Sequence, residues 1–218
     1  MLVVRHVTVG PIAENAYLAG CDRTGEAVLV DPGAELARVL ALREPGGFAV
    51  RRIFLTHGHA DHVAEVAAAK AETGAPVSVH RADAPWIDRF AQSAGWLGLE
   101  GSSGPAVDRH HEDGETFQVG EHAARVLHTP GHSAGGCCLF FPDAKVLFTG
   151  DTLFSGSVGR TDLPGGDLDA LLASIRERIF PLGDDVRFYP GHGPSGLVGE
   201  ERRTNPFAGE PSKRGRYV

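Results

Sequence analysis

His57-Gly58-His59-Ala60-Asp61-His62 decides how this chain is read. The six residues carry three imidazoles and one carboxylate, and they follow an apolar run, Ile53-Phe54-Leu55. Neutral imidazole and carboxylate are the side chains that bind zinc, iron and similar metals. Crowded together without a bound partner they would leave buried polar capacity unused. A hydrated, histidine-rich surface turn is the bland alternative; it suits a single histidine but accounts poorly for this cluster. Three more residues lie in comparable settings: His132 in Thr129-Pro130-Gly131-His132-Ser133, Asp151 in Phe148-Thr149-Gly150-Asp151-Thr152, and His192 in Tyr189-Pro190-Gly191-His192-Gly193. Each follows a β-rich apolar stretch and is flanked by glycine or proline, which is how a chain ends a strand and turns into a loop. Strand ends that converge on one edge of a scaffold are where sites are built. Five histidines and two aspartates suffice for two metal ions and a water.

Working outward, His57 and His59 project to the same side of an extended loop and can share one ion. Asp61 and His62 start the following helix and point to a neighbouring position; Asp61 could also cap that helix, where a carboxylate is favoured. Asp31 is either an acceptor behind a ligand histidine or the first residue of an Asp31-Pro32-Gly33 turn. Strands are expected at residues 2–9, 16–19, 27–30, 51–55 and 77–79, with helices at 34–42, 61–72 and 84–92. After a loop over 101–108 the pattern turns β at 116–119, 123–127, 138–141 and 146–148, with Asp143-Ala144 turning the last pair. A helix over 168–179, capped by Asp167, and a strand over 186–189 complete the chain. Two βα-containing halves emerge, each ending in candidate ligands, with no linker between them, so residues 1–218 read as a single domain.

Composition is that of an ordinary globule, 42% hydrophobic and 22% charged, with 29 glycines and 14 prolines feeding a loop-rich α/β chain. No run of about 18 apolar residues is present, so no membrane span is expected. The net charge of −7 and the scattered basic residues argue against a nucleic-acid partner. The N-terminal residues read as a strand rather than a signal peptide. Three cysteines, Cys21, Cys137 and Cys138, make no disulfide framework, which points to the reducing cytoplasm. Cys137-Cys138 are either thiols near the metal or small strand residues, one per face. His6, His80, His110, His111, His122 and His128 read as surface or packing residues, with His110-His111 solvated; Lys213-Arg214-Gly215-Arg216 reads as a solvated tail.

The pattern HxHxDH followed by a distant His, Asp and His resembles the metallo-β-lactamase superfamily. Gly150-Asp151-Thr152-Leu153-Phe154-Ser155-Gly156-Ser157-Val158-Gly159-Arg160-Thr161-Asp162 is similar to the branch that holds type II glyoxalases (hydroxyacylglutathione hydrolases) and persulfide dioxygenases. The stretch from Pro181-Leu182-Gly183 through Pro190-Gly191-His192-Gly193-Pro194 to Thr204-Asn205-Pro206-Phe207 is most similar to the short bacterial glyoxalase-like hydrolases. The resemblance implies an αββα sandwich: two mixed β-sheets face to face, helices outside, metals at one edge. It implies that His57, His59 and His132 hold one divalent metal, that Asp61, His62 and His192 hold another, and that Asp151 bridges them. Zinc is the first choice, with iron or manganese as alternatives. The reaction implied is hydrolysis of a small acyl-thiol substrate of the S-lactoylglutathione type by a metal-bridging hydroxide, which Asp61 could orient. Arg160 would contact the glutathione part, or else pair with Asp162 or Asp167. The 218 residues do not include the helical domain that completes the glutathione pocket in longer glyoxalases, and Gly193-Pro194 stands where those carry an acidic residue and a tyrosine. The alternative within the branch is a mononuclear iron persulfide dioxygenase using His57, His132 and Asp151. A non-catalytic metal-binding or partner-binding module is a third reading, against which the complete ligand set argues. Nothing in the chain points specifically to a β-lactamase or lactonase, and nothing indicates an oligomeric state.

Overall fold

The computed structural model describes residues 1–96, 98 and 104–210. Among the described residues, fourteen strands are distributed between two six-stranded sheets and a small hairpin. The first sheet runs in the order β1 (Leu2–Val9), β2 (Glu14–Cys21), β3 (Glu26–Val30), β4 (Ala49–Phe54), β5 (Val77–His80) and β6 (Arg109–His111). Its first two pairings are antiparallel and its last three parallel. The second sheet has β7 (Thr116–Val119), β8 (His122–His128), β9 (Cys137–Phe141), β10 (Val146–Gly150), β13 (Arg187–Pro190) and β14 (Gly196–Leu197) in spatial sequence, parallel only between β10 and β13. The hairpin is β11 (Leu153–Phe154) with β12 (Ser157–Val158).

Side-chain alternation builds the layers. In β2, Ala16 and Leu18 face one buried cluster while Tyr17 and Ala19 face another. In β9, Cys137, Leu139 and Phe141 point between the sheets, and Cys138 and Phe140 point to the far side. The two cysteines therefore fill opposite faces, as small strand residues do, and all three cysteines are buried and free. The outer face of the first sheet is covered by α1 (Leu36–Ala41), α2 (Ala60–Val63), α3 (Val66–Thr73), α4 (Ala84–Asp88) and α5 (Phe90–Trp96). The second sheet is covered by α6 (Leu168–Ser174), which continues through a π-helical turn at Ile175–Ile179, and by α7 (Val198–Thr204). Two mixed sheets packed face to face with helices outside are the expected αββα sandwich. Among the described residues no helix is long and apolar enough to cross a membrane.

The helical stretches are more broken than the periodicity suggests. Residues 61–72 divide into α2 and α3, and 84–92 into α4 and α5. Asp61 does not cap α2: the cap position is His59, and the Asp61 side chain turns to the histidines. Asp167 does cap α6, accepting from the Ala170 amide at 2.9 Å. Strands β6, β11, β12 and β14 and helix α7 carry too little periodicity to be read from sequence. Burial corrects the reading of His111: β6 alternation turns it inward, stacked on Phe54 with ring centroids 4.5 Å apart, while His110 stays half-buried. Of the loop expected at 101–108, residues 104–108 are described and carry no regular structure; the expected basic tail lies outside the described residues.

Candidate metal centre

The site forms where strands running in one direction end. His57 and His59 follow β4, His132 follows β8, Asp151 follows β10 and His192 follows β13. Carboxyl ends of parallel strands open a crevice in α/β sheets, and loops there are free to carry chemistry. All seven candidate ligands come together. The donor atoms of His57, His59 and His132 lie within 4.8 Å of one another, as do those of Asp61, His62 and His192. His132 Nε2 is 3.3 Å from His57 Nε2 and 2.8 Å from His59 Nδ1. His192 Nε2 is 3.2 Å from Asp61 Oδ2, and His62 Nε2 is 3.4 Å from both Asp61 Oδ2 and Asp151 Oδ1. Asp151 Oδ2 lies 3.6 Å from the Nε2 atoms of both His132 and His192, so this carboxylate faces both clusters.

Groups behind the histidines set which nitrogen faces inward. His132 Nδ1–H donates to the Arg160 carbonyl at 2.8 Å, and His192 Nδ1–H to the Ala13 carbonyl at 3.2 Å. His62 Nδ1–H donates to Asp31 Oδ2 at 3.0 Å. Thr56 Oγ1–H donates to the same carboxylate at 2.6 Å and accepts from His57 Nδ1–H at 3.0 Å. With these outer nitrogens donating, the Nε2 atoms present lone pairs to one another and to two carboxylates, an arrangement that calls for positive charge between them. His59 Nε2, His62 Nε2 and Asp151 Oδ1 are buried without a hydrogen-bond partner among the described residues. This donor chemistry fits divalent metal ions. Asp31 also sits close to His57 and His62. Its oxygens are taken by the Thr56 amide, the Thr56 hydroxyl and His62, so it works as the acceptor behind the ligands rather than as one of them.

Electrostatics agree with that demand. Burial, and then the facing histidines, hold His57 well below the usual imidazole range. Burial and His132 push His59 down to about 3. Burial opposes charge on Asp61 and Asp151, but His62 and the neighbouring histidines overcome it and hold both carboxyls below their ordinary values. Burial likewise opposes charge on His62, yet Asp61 and Asp151 raise it well above the usual value. Either a proton there or a metal cation answers the two carboxylates.

Four supporting residues escape a reading of the sequence. Asp83, wholly buried, accepts from the Gly58 amide at 2.9 Å, the Ser133 hydroxyl at 2.8 Å and the Gly135 amide at 2.6 Å, tying the His57–His59 loop to the His132 loop. An acid just beyond a strand end, as at Asp31, was the available signal. Gly58 admits this packing: a Cβ there would lie 2.9 Å from both the Asp83 carbonyl and Trp86 Cβ. Trp86 sets its ring edge-on to His59, with centroids 4.4 Å apart. Glu14 lies behind His62, its Oε1 3.9 Å from Nδ1, with burial holding its carboxyl well above the usual range. Asn15 fixes the His192 loop, donating through Nδ2 to the Pro190 and Gly193 carbonyls. In that loop a Cβ on Gly191 would fall 2.2 Å from Asp151 Oδ1 and 2.6 Å from His62 Cε1, so only glycine fits.

A cavity of about 640 Å³ opens over the cluster, walled by Ile12, Trp86, Phe154, Val158 and Leu163 with Asp61 and Asp151 at its floor. Arg160 lines it too, but its guanidinium is held in a two-point ion pair with Asp162, Nε to Oδ1 at 2.7 Å and the terminal nitrogen to Oδ2 at 2.8 Å. Its backbone carbonyl, through His132, is the part that reaches the cluster of candidate ligands.

Fold and site define the class: the chain belongs to the metallo-β-lactamase superfamily, whose sequence model matches residues 9–192, and is a metallo-hydrolase of that superfamily. Among its relatives it is similar to the hydroxyacylglutathione hydrolase GloC of Haemophilus influenzae, 34% identical over 193 residues that span 88% of this chain and 91% of that protein. Two solved structures are alike throughout. BLEG-1 B3 metallo-β-lactamase superposes with a TM-score of 0.87 at 35% identity, covering 94% of this chain and 99% of that one. TTHA1623 in a di-iron-bound form superposes with a TM-score of 0.84 at 42% identity, covering 93% and 99%.

Proposed function

We propose that this protein hydrolyses thioesters of the hydroxyacylglutathione type at a two-metal centre. His57, His59 and His132 would hold one divalent ion, Asp61, His62 and His192 would hold the other, and Asp151 would serve both. The observation that carries this reading is Asp151, whose two oxygens reach into both histidine clusters while each flanking Nε2 offers a lone pair. The likeness to GloC supports the thioester as substrate. Imidazole and carboxylate suit zinc, iron and manganese alike; zinc or iron is proposed, the latter supported by the di-iron form of TTHA1623. Bound there, the ions supply a water nucleophile at neutral pH and a Lewis acid for the acyl oxygen.

The chain's own residues do the rest. Asp61, held ionised at the cavity floor, is placed to accept a hydrogen bond from the attacking water and orient it. Asp31, Thr56 and the Arg160 carbonyl fix imidazole orientation. The apolar walls formed by Trp86, Phe154 and Leu163 hold bulk water off the acyl group.

The test is metal analysis of freshly purified protein with S-lactoylglutathione hydrolysis assayed on the same sample. Close to two metals per chain with hydrolysis supports the proposal, and Asp151→Ala is expected to lose metal and turnover together. Turnover that survives in a metal-depleted Asp151→Ala variant overturns the mechanism. One iron per chain, with oxygen uptake on glutathione persulfide and no hydrolysis, assigns the dioxygenase chemistry instead. Hydrolysis of a chromogenic β-lactam in place of the thioester assigns the activity by which BLEG-1 is named.

A further inference from the structure

We infer that the cleft anchors the anionic end of its substrate through Arg89, in a second lobe beyond Trp86; the inference rests on the thioester reading and adds where a glutathione-type thiol is held. The cavity over the metal cluster and a neighbouring cavity of about 290 Å³ share Trp86 and Ser93 in their walls, so they are two lobes of one cleft. Trp86 stands at their junction, edge-on to His59. The second lobe is lined by Arg89, Gln92 and Ser93 together with Pro85, Ala134 and Pro164. Trp86 in α4, Arg89 at its C-terminal cap and Ser93 in α5 all line this lobe.

Charge decides between the lobes. In the first lobe Arg160 is the cation, and Asp162 already takes two of its N–H donors and compensates its charge. The other charged groups of that lobe are the carboxylates Asp61 and Asp151 with their histidines. Arg89 is exposed and forms no ion pair with any carboxylate among the described residues. A guanidinium whose donors meet no carboxylate among the described residues, beside the neutral donors Gln92 and Ser93, is the group in this cleft best suited to a carboxylate. An acyl group over the metals, an apolar stretch across Trp86 and a carboxylate at Arg89 is the shape of substrate the two lobes accept. A hydroxyacyl thioester of a carboxylate-bearing thiol peptide has that shape.

The test is calorimetric binding of glutathione and of its neutral diethyl ester to the metal-loaded full-length protein. Both ligands carry the same thiol, so their difference reports the carboxylates. Wild-type protein is expected to prefer the acid. Arg89→Met is expected to weaken glutathione binding about tenfold, the scale of one charge-assisted contact, and to leave the ester unchanged. Arg89→Glu is expected to weaken it further, and Arg160→Met to keep the acid–ester preference. Arg89 is exposed, so its variants are expected to melt like wild type. Equal binding of acid and ester by wild-type protein, no binding of either, or an Arg89→Met variant that binds like wild type overturns the inference. Hydrolysis of S-lactoylglutathione is scored separately. Turnover with Arg89-independent binding rejects the anchor and keeps the reaction, whereas Arg89-dependent binding without turnover keeps the anchor and rejects the reaction.

Discussion

At the scale of single residues, four of the five candidate ligand imidazoles are oriented by an outward hydrogen bond, and His59 rests edge-on against Trp86 instead. A His-to-Ala change at a ligand removes a donor; a change at Asp31 or Thr56 frees a ring to rotate, which costs about 10–100-fold in metal affinity in comparable sites. The same physics applied away from the site singles out His111. It is fully buried against Phe54, neither ring nitrogen has a hydrogen-bond partner among the described residues, and burial pushes it down to about 3. The folded chain therefore keeps this ring neutral while the unfolded chain protonates it below about pH 6.5. The unfolded state then binds more protons, so His111 costs stability as pH falls through and below that value. His111→Leu is expected to gain about 1.4 kcal/mol on wild type between pH 7.5 and pH 5.5 in urea unfolding at constant metal. Parallel stability profiles for the two proteins would show that the ring is not kept neutral by the fold.

At the scale of elements, two polar ties hold loops that have little regular structure of their own. Asp83 joins the loop after β4 to the loop after β8. Asp83→Ala leaves two amides and a hydroxyl without their acceptor; such a loss costs about 1–3 kcal/mol per group where water cannot replace it. The variant is expected to melt several degrees lower and to lose metal from the His57–His59–His132 position before the other. A variant that melts lower but holds both metals with wild-type affinity would reduce Asp83 to a purely structural tie. The second tie is Asn205 with Glu201. Glu201 Oε2 accepts from the Gly156 amide, and Asn205 Nδ2 donates to Glu201 and to the Ser157 carbonyl, while Asn205 Oδ1 accepts from the Phe207 and Ala208 amides. These bonds hold the β11–β12 hairpin, which carries Phe154 and Val158 into the cavity wall. Asn205→Ala is expected to raise KM for the thioester severalfold with a smaller change in kcat. An unchanged KM would mean that the hairpin keeps its position without α7.

At the scale of the molecule, the metal centre is where the two sheets meet. Ligands come from β4 and α2 on one side and from the ends of β8, β10 and β13 on the other, so an ion bound there clamps both halves. A ligand at about a thousand times its Kd adds about 4 kcal/mol to stability, and for a chain of this size each kcal/mol moves Tm by about 2–4 °C. Chelation is therefore expected to lower Tm by about 10 °C, with recovery on adding back zinc, iron(II) or manganese(II). Because protons compete for the imidazoles, the metal-dependent part of that gain is expected to shrink as pH falls from 7.5 to 5.5. A Tm indifferent to chelator at pH 7.5, in protein shown to have lost its metal, would separate the fold from the ions.

The sequence by itself determined the candidate donor set, and its resemblance to a known superfamily implied the layer architecture. Ligand identity is covalent, the spacing within His57–His62 is local, and strand alternation with glycine or proline at each strand end can be read along the chain. Tertiary structure alone decided the rest. It showed Asp83 fastening loops that lie 25 and about 50 residues away, turned His111 inward, and chose between the two readings of Arg160 by pairing it with Asp162. It also decided that Trp86 stands edge-on to His59 and that Arg89 lines the neighbouring lobe of the cleft. These depend on which strand ends meet across two sheets and on what water is shut out when they do. No local pattern encodes such contacts, because the partners become neighbours only after the sheets have packed.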